Sequence, residues 1–207
     1  MTAGRRLIES ALRAPMRIRG WAPRASGWFT RVVAPGALGV VAVGVASKHA
    51  RPGTATATIY VHLRDEQLEA DVAHLTGRTD EGYRTTTATT SVGYLMPAAS
   101  WYEWLIEPDS ADDVADRMAE AVQTYAEPHL RTLAADPQAL LAAIASSPSS
   151  STLSGLARSA LLLRRVGQAQ EATELLVRRV SGLADRTDVA ATEERRVVAT
   201  LAELFAR

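Results

Sequence analysis

From Ala55 to Leu63 the chain alternates without a break. Ala55, Ala57, Ile59, Val61 and Leu63 take the odd positions, and Thr56, Thr58, Tyr60 and His62 the even ones. Successive side chains of a strand point to opposite faces, so this period of two predicts a strand with one buried face and one polar face. A sheet built that way is typically antiparallel, with one side packed on a core.

The flanking segments extend that sheet. Residues 28–33 and 38–47 read as two strands joined through Ala34-Pro35-Gly36-Ala37, where Pro presets φ and Gly tolerates φ > 0. The second is apolar on both faces (Val40, Val41, Val43, Val45), which predicts a central position. Residues 49–54 form a loop through Arg51-Pro52-Gly53. Residues 85–95 and 100–106 are expected to form a second hairpin, joined by the loop that holds Pro97. Within it Trp101 and Trp104 fall on opposite faces, so only one of them can enter the core.

Helical periods occupy the rest. Leu7, Ile8, Ala11 and Leu12 mark a first helix, limited by Pro15. A second spans 65–75, with Leu68, Val72 and Leu75 inward and Gly77 just past its end. A third runs over 111–126 with Val114, Met118, Val122 and Tyr125 as its stripe, and the Ser110…Asp113 spacing predicts a capping box. Helices follow at 128–134 and 137–144, the latter behind the N-cap pair Asp136-Pro137. Residues 146–154 are serine-rich and read as a linker, and three further helices cover 156–166, 168–184 and 189–206. The expected fold is α+β. An antiparallel sheet of about five strands with helices on one face fills a domain over 1–145, and an all-helical extension covers 155–207.

Charge is uneven. Residues 1–64 hold ten Lys/Arg and one acid, 65–136 hold four Arg and fifteen acids, and 137–207 hold nine Arg and seven acids. Side-by-side compensation within one fold is the first expectation from such a layout. Chemistry is sparse by comparison. The chain has no cysteine, which excludes disulfides, thiolate metal sites and thiol nucleophiles. His49, His62, His74 and His129 make no His-x-x-x-His or His-Glu-x-x-His pattern, so no metal site and no cofactor are expected. Gly44 to Lys48 lacks the phosphate-loop order, and there is no Gly-x-Ser-x-Gly elbow. The arginines at 5, 6, 13, 17, 19 and 24 lack a recognisable nucleic-acid motif, so nucleic acid is not the expected partner. The longest apolar run, 32–46, is broken by Pro35, Gly36, Gly39 and Gly44 and falls short of the ~20 residues a membrane span needs. A cytoplasmic, non-membrane, non-enzymatic protein is the expectation.

Residues 91–144 carry Gly93-Tyr94-Leu95-Met96-Pro97, then a Trp-rich segment and an amphipathic helix; Gly20-Trp21 and Trp28-Phe29-Thr30-Arg31 precede them. This order resembles a family of small bacterial α+β domains of unknown function, found in toxin–immunity neighbourhoods. The resemblance implies an antiparallel sheet behind a leading helix and a protein-binding, immunity-like or accessory role. Residues 161–178, with Gly167 followed by Glu171-Ala172, resemble one tetratricopeptide-type helical hairpin, although Arg179 stands where that pattern has a small residue.

Two functional expectations follow. In the first, Asp109, Asp112, Asp113, Asp116 and Glu120 form an acidic helix face that engages a protein partner with a basic surface. In the second, Thr56, Thr58, Tyr60, His62, Thr87 and Thr89, with Ser91, line a small-ligand site or a weak hydrolase on the polar sheet face. Apolar stripes at Leu175, Val180, Val197, Leu201 and Leu204 also suit self-association into a homodimer through the C-terminal helices.

Overall fold

The computed structural model describes residues 3–46, 54–147 and 149–205. Lys48, His49 and the expected loop through Arg51-Pro52-Gly53 lie outside the described residues, as does Pro148 of the serine run. The chain forms an α+β fold with an antiparallel six-stranded sheet and a helical C-terminal region. Its contacts define two compact units. One joins Met1–Arg64 to Thr89–Ala135, and the other joins Asp65–Ala88 to Asp136–Arg207.

In the first unit, helices α1 (Ala3–Ala11) and α2 (Arg13–Ile18) lead into β1 (Ala22–Pro23), β2 (Trp28–Ala34), β3 (Ala37–Ala46) and β4 (Ala55–Asp65). The first helical segment does not stop at Pro15. That residue sits in the first turn of α2, where its missing N–H costs nothing. The β2–β3 hairpin turns at Pro35-Gly36, with Gly36 at φ 71° as the turn requires. In β4 the alternation is obeyed. Ala55, Ala57, Ile59, Val61 and Leu63 are all buried. Together with Phe29 and Val41 they make the face that the helices cover: a Cβ on Gly4 of α1 would sit 2.8 Å from the Ala55 Cβ. Each Ile, Val, Leu or Phe among them contributes roughly 1.5–3 kcal/mol by leaving water.

The second expected hairpin does not form. Strand β5 (Ala88–Ser91) gives way at once to a 3₁₀ turn, Val92–Leu95, and β6 (Trp104–Ile106) pairs with β4, Ala57 opposite Trp104 and Ala55 opposite Ile106. Met96 donates its N–H back to the Val92 carbonyl at 3.2 Å, which curls the chain off the β5 line before a hairpin can start. One tryptophan, Trp104, enters the core face, while Trp101 is 47% exposed.

Beyond β6 the helices α4 (Ala111–Ala121) and α5 (Glu127–Ala135) are joined without interruption by a π-helical turn, Val122–Ala126. The wider turn shifts the buried stripe by one position. Val114, Met118 and Val122 are buried as expected, but Ala126 rather than Tyr125 continues the stripe toward Leu130. Ser110 does not cap α4. It closes a 3₁₀ turn, with its N–H on the Glu107 carbonyl at 3.1 Å, and its backbone (φ −117°, ψ 6°) lacks the extended geometry a cap needs.

The second unit is helical: α3 (Glu66–Thr76), α6 (Pro137–Ser146), α7 (Leu153–Arg165), α8 (Ala169–Ser181) and α9 (Val189–Phe205). Asp65, Asp136 and Asp188 each accept hydrogen bonds from backbone N–H groups of the first turn that follows, and Gly77 ends α3 at φ 64°. Its core gathers Leu68 and Val72 of α3 with Leu156, Ala160, Leu176 and Val197. The serine run is not a spacer between the two units. Ser147 and Ser154 are buried, Ser150 donates to the Ser147 carbonyl at 2.9 Å, and Thr152 caps α7 through the Gly155 N–H. Gly155 is required there, because any Cβ would strike the backbone of Ser149 and Ser150.

A buried polar cluster sits inside this unit. Glu69 of α3 is fully buried (0% exposed) and takes both Arg158 Nε (2.7 Å) and Nη2 (2.9 Å) of α7. Thr87 donates its hydroxyl to the same carboxylate at 2.7 Å and accepts the Asp65 N–H at 3.0 Å. Removing one partner of such a pair strands a buried charge at a cost of about 3–5 kcal/mol. Arg158→Ala is therefore expected to lower unfolding stability by about that amount. The apolar double exchange E69L/R158M is expected to recover most of it. Denaturant titration followed by circular dichroism measures both.

Candidate functional site

Two surfaces of the first unit were expected to carry function, and the structure treats them differently. On α4, Asp112, Asp113, Asp116 and Glu120 project within an arc about 100° wide at 3.6 residues per turn, and all four are exposed, with Asp109 just before them. Val114, Ala115 and Met118 on the opposite side are buried, which fixes the rotation of the helix. Among the described residues, only Asp116 of these five has a cation within ion-pair reach, Arg19 at 4.0 Å. Arg117 lies at the border of the arc and is exposed too. Asp112 and Asp113 also lie in the first turn, where the helix dipole favours negative charge.

The arginines of the N-terminal segment are partly consumed inside the unit. Arg31 holds Glu127 at 2.7 Å, and Arg131 holds the other oxygen of that carboxylate at 2.8 Å. Compensation between the basic and acidic segments is thus real at the start of α5, and among the described residues it reaches the acids of α4 at Asp116 alone.

The segment that leads into β6, with the Val92–Leu95 turn, carries a group of exposed rings. Trp101 is half exposed and tilts against Tyr60 with ring centroids 6.1 Å apart. Tyr102 meets Trp104 edge to face at 4.8 Å. Tyr94, Trp101, Tyr102 and Leu105 are all exposed, so the segment carries an apolar, aromatic surface with Glu103 and Glu107 within it. Their placement depends on Gly93. A Cβ there would come within 2.8 Å of the Tyr102 N and Cβ, so the returning chain lies directly on the glycine. The signal was present as Gly93 ahead of three rings in four residues, Trp101, Tyr102 and Trp104.

The polar sheet face is filled rather than open. Thr58 is buried and donates to the Tyr102 carbonyl at 3.3 Å. Tyr60 lies under Trp101, and Thr56 is half-buried. His62, 9% exposed, stacks on Trp28 at 5.5 Å and shares a 2.8 Å hydrogen bond between Nδ1 and the Thr89 hydroxyl. Thr87 belongs to the second unit, where it serves Glu69. Three buried polar atoms, Trp21 Nε1, His62 Nε2 and the Ser91 hydroxyl, have no partner among the described residues. Among the described residues there is also no cluster of His, Asp and Glu suited to a metal ion, and no helix long and apolar enough to cross a membrane.

No family model, curated protein or solved structure matches this chain.

Two outcomes follow. Burial lowers the His62 imidazole from 6.5 to about 4. The unfolded chain takes up that proton as pH falls through 6.5, and the folded chain does not until about 4, so stability drops across this window and levels off below it. The loss is on the order of 3 kcal/mol. His62→Gln, which stays neutral, is expected to remove it, read as the difference in denaturant stability between about pH 7.5 and about pH 4 in the two proteins. Separately, Gly93→Ala is expected to cost roughly 1–3 kcal/mol by overpacking and to increase the solvent exposure of Trp101 in fluorescence quenching.

Proposed function

We propose that this chain is a non-enzymatic protein-interaction module that binds a basic partner through the acidic arc of α4. The observation that carries this reading is the exposure of Asp109, Asp112, Asp113, Asp116 and Glu120 together, with one ion pair among the described residues to answer them, Arg19 at 4.0 Å from Asp116. Charge of one sign on one face raises association rate and selects partners of opposite sign. The exposed rings of the Val92–Leu95 turn and of the segment before β6 add to this. Trp101, Tyr94 and Tyr102 offer π faces to arginine or lysine, each such contact worth about 0.5–1 kcal/mol at an exposed site. A cytoplasmic, immunity-like or accessory role agrees with the family resemblance of residues 91–144.

The test uses a fluorescein-labelled arginine-rich peptide and, as control, an acidic peptide of the same length, with anisotropy as the readout. The arginine-rich peptide is expected to bind and to weaken steeply with salt, while the control does not bind. Reversing Asp112, Asp116 and Glu120 to lysine is expected to weaken binding at least tenfold, and Trp101→Ala roughly threefold to tenfold. Affinity unchanged by the triple reversal would sink the reading.

A further inference from the structure

Helices α1 and α2 share one helical phase. Leu12 between them has helical backbone angles (φ −68°, ψ −20°). It donates its N–H to the Ile8 carbonyl at 3.0 Å, and Met16 donates to the Leu12 carbonyl at 3.1 Å. Ile8, Leu12 and Met16 are buried, which fixes the rotation. Arg6, Arg13 and Arg17 then fall in one exposed strip, about 40° wide and about 16 Å long. Among the described residues none of these three has an acid within ion-pair reach. Glu9, the one acid of residues 1–64, is held by Arg5 at 2.6 Å.

The acidic α4 packs against both helices within the same unit. Arg19, just past α2, donates to Gln123 at 3.1 Å and stands 4.0 Å from Asp116, which marks where the helices adjoin. The basic strip and the acidic arc, about 12 Å long from Asp112 to Glu120, thus occupy neighbouring helices, each away from the side its helix buries. Self-association was expected instead through the C-terminal helices, but Val197 and Leu201 of that stripe are buried in the core of the second unit.

Resting on the reading of α4 as a surface for a basic partner, we infer that this partner is a second copy of the chain, whose Arg6, Arg13 and Arg17 lie along the acids of α4. A two-fold axis running between the two helices lays each strip on the opposite strip of the other copy, so one closed contact answers both charges. A contact that sets like strips together is repelled, which selects this arrangement. Exposed charge pairs are weak and screened by salt, so the dimer belongs to low ionic strength and high protein concentration.

Sedimentation velocity of the full chain from about 1 to about 300 μM, in ~20 mM and ~300 mM salt, tests this. The expected result is a shift toward twice the chain mass in low salt and a single chain mass in high salt. R6E/R13E/R17E and D112K/D116K/E120K are each expected to weaken the dimer at least tenfold, with circular dichroism unchanged. The chain with all six exchanges regains a net charge of zero and is expected to dimerise within about threefold of the original, because the reversed strips meet again across the axis. A single chain mass at every concentration in low salt overturns the inference. So does a dimer that R6E/R13E/R17E leaves intact, or a sixfold exchange no tighter than the threefold ones. The arginine-rich peptide separates the two readings: R6E/R13E/R17E keeps the α4 acids, so peptide bound by a chain that never dimerises sinks this inference alone.

Discussion

The carboxylate of Glu69 is the constraint around which the helical unit is arranged. A fully buried acid must be matched by a cation of fixed geometry, and the planar fork of Arg158 supplies it from a point 89 positions away in the chain. That requirement sets how α3 lies against α7, and the Thr87 hydroxyl fixes the segment returning from α3 at the same point. Around it the fastening is ordinary. Arg165 pairs with Asp65, Arg78 donates to the Ser154 hydroxyl, and Arg196 reaches the Leu75 carbonyl near the end of α3. Apolar burial supplies most of the driving force in such a unit, and the buried ion pair selects one arrangement among those that burial alone would permit.

Where structure is dictated locally, the residues announce it. The two-residue period of β4, the Pro35-Gly36 turn, the cap at Asp136 and Gly77 behind α3 are each decided by a few neighbours, and each stands where the chain reads it. The departures share one cause, which is dependence on distant partners. Glu69 has the spacing of a surface acid on an amphipathic helix, and nothing near it tells of Arg158. The serines at 147 and 154 have the composition of a linker, yet they are buried in a turn that lies on Gly155. The pairing of β6 with β4 instead of β5 joins segments about 50 residues apart, which no local pattern announces. The π turn at Val122–Ala126 changes the helical phase without any proline or glycine to mark it.

The candidate surfaces divide in the same way. The acids of α4 were legible because an exposed arc is simply the complement of a buried stripe, and Val114 and Met118 define that stripe. The aromatic surface was only half legible. The strand period separates Trp101 from Trp104, but the exposure of Trp101 and Tyr102 comes from the chain turning back over Gly93. The polar sheet face illustrates the converse. Its hydroxyl and imidazole groups suggest a wet surface, while the rings of Trp28 and Trp101 lie against His62 and Tyr60.

The division of the chain into interleaved units has a consequence for biosynthesis. Residues 65–88 leave the ribosome well before the segment 136–207 that completes their unit. At roughly 5–20 residues per second, Glu69 waits on the order of 4–18 s for Arg158 to be made. During that interval the nascent α3 shows solvent an apolar stripe and an unmatched acid. Folding of the sheet-containing unit, whose last residue is Ala135, can precede it, so translation imposes an order on the two units that the finished molecule no longer records.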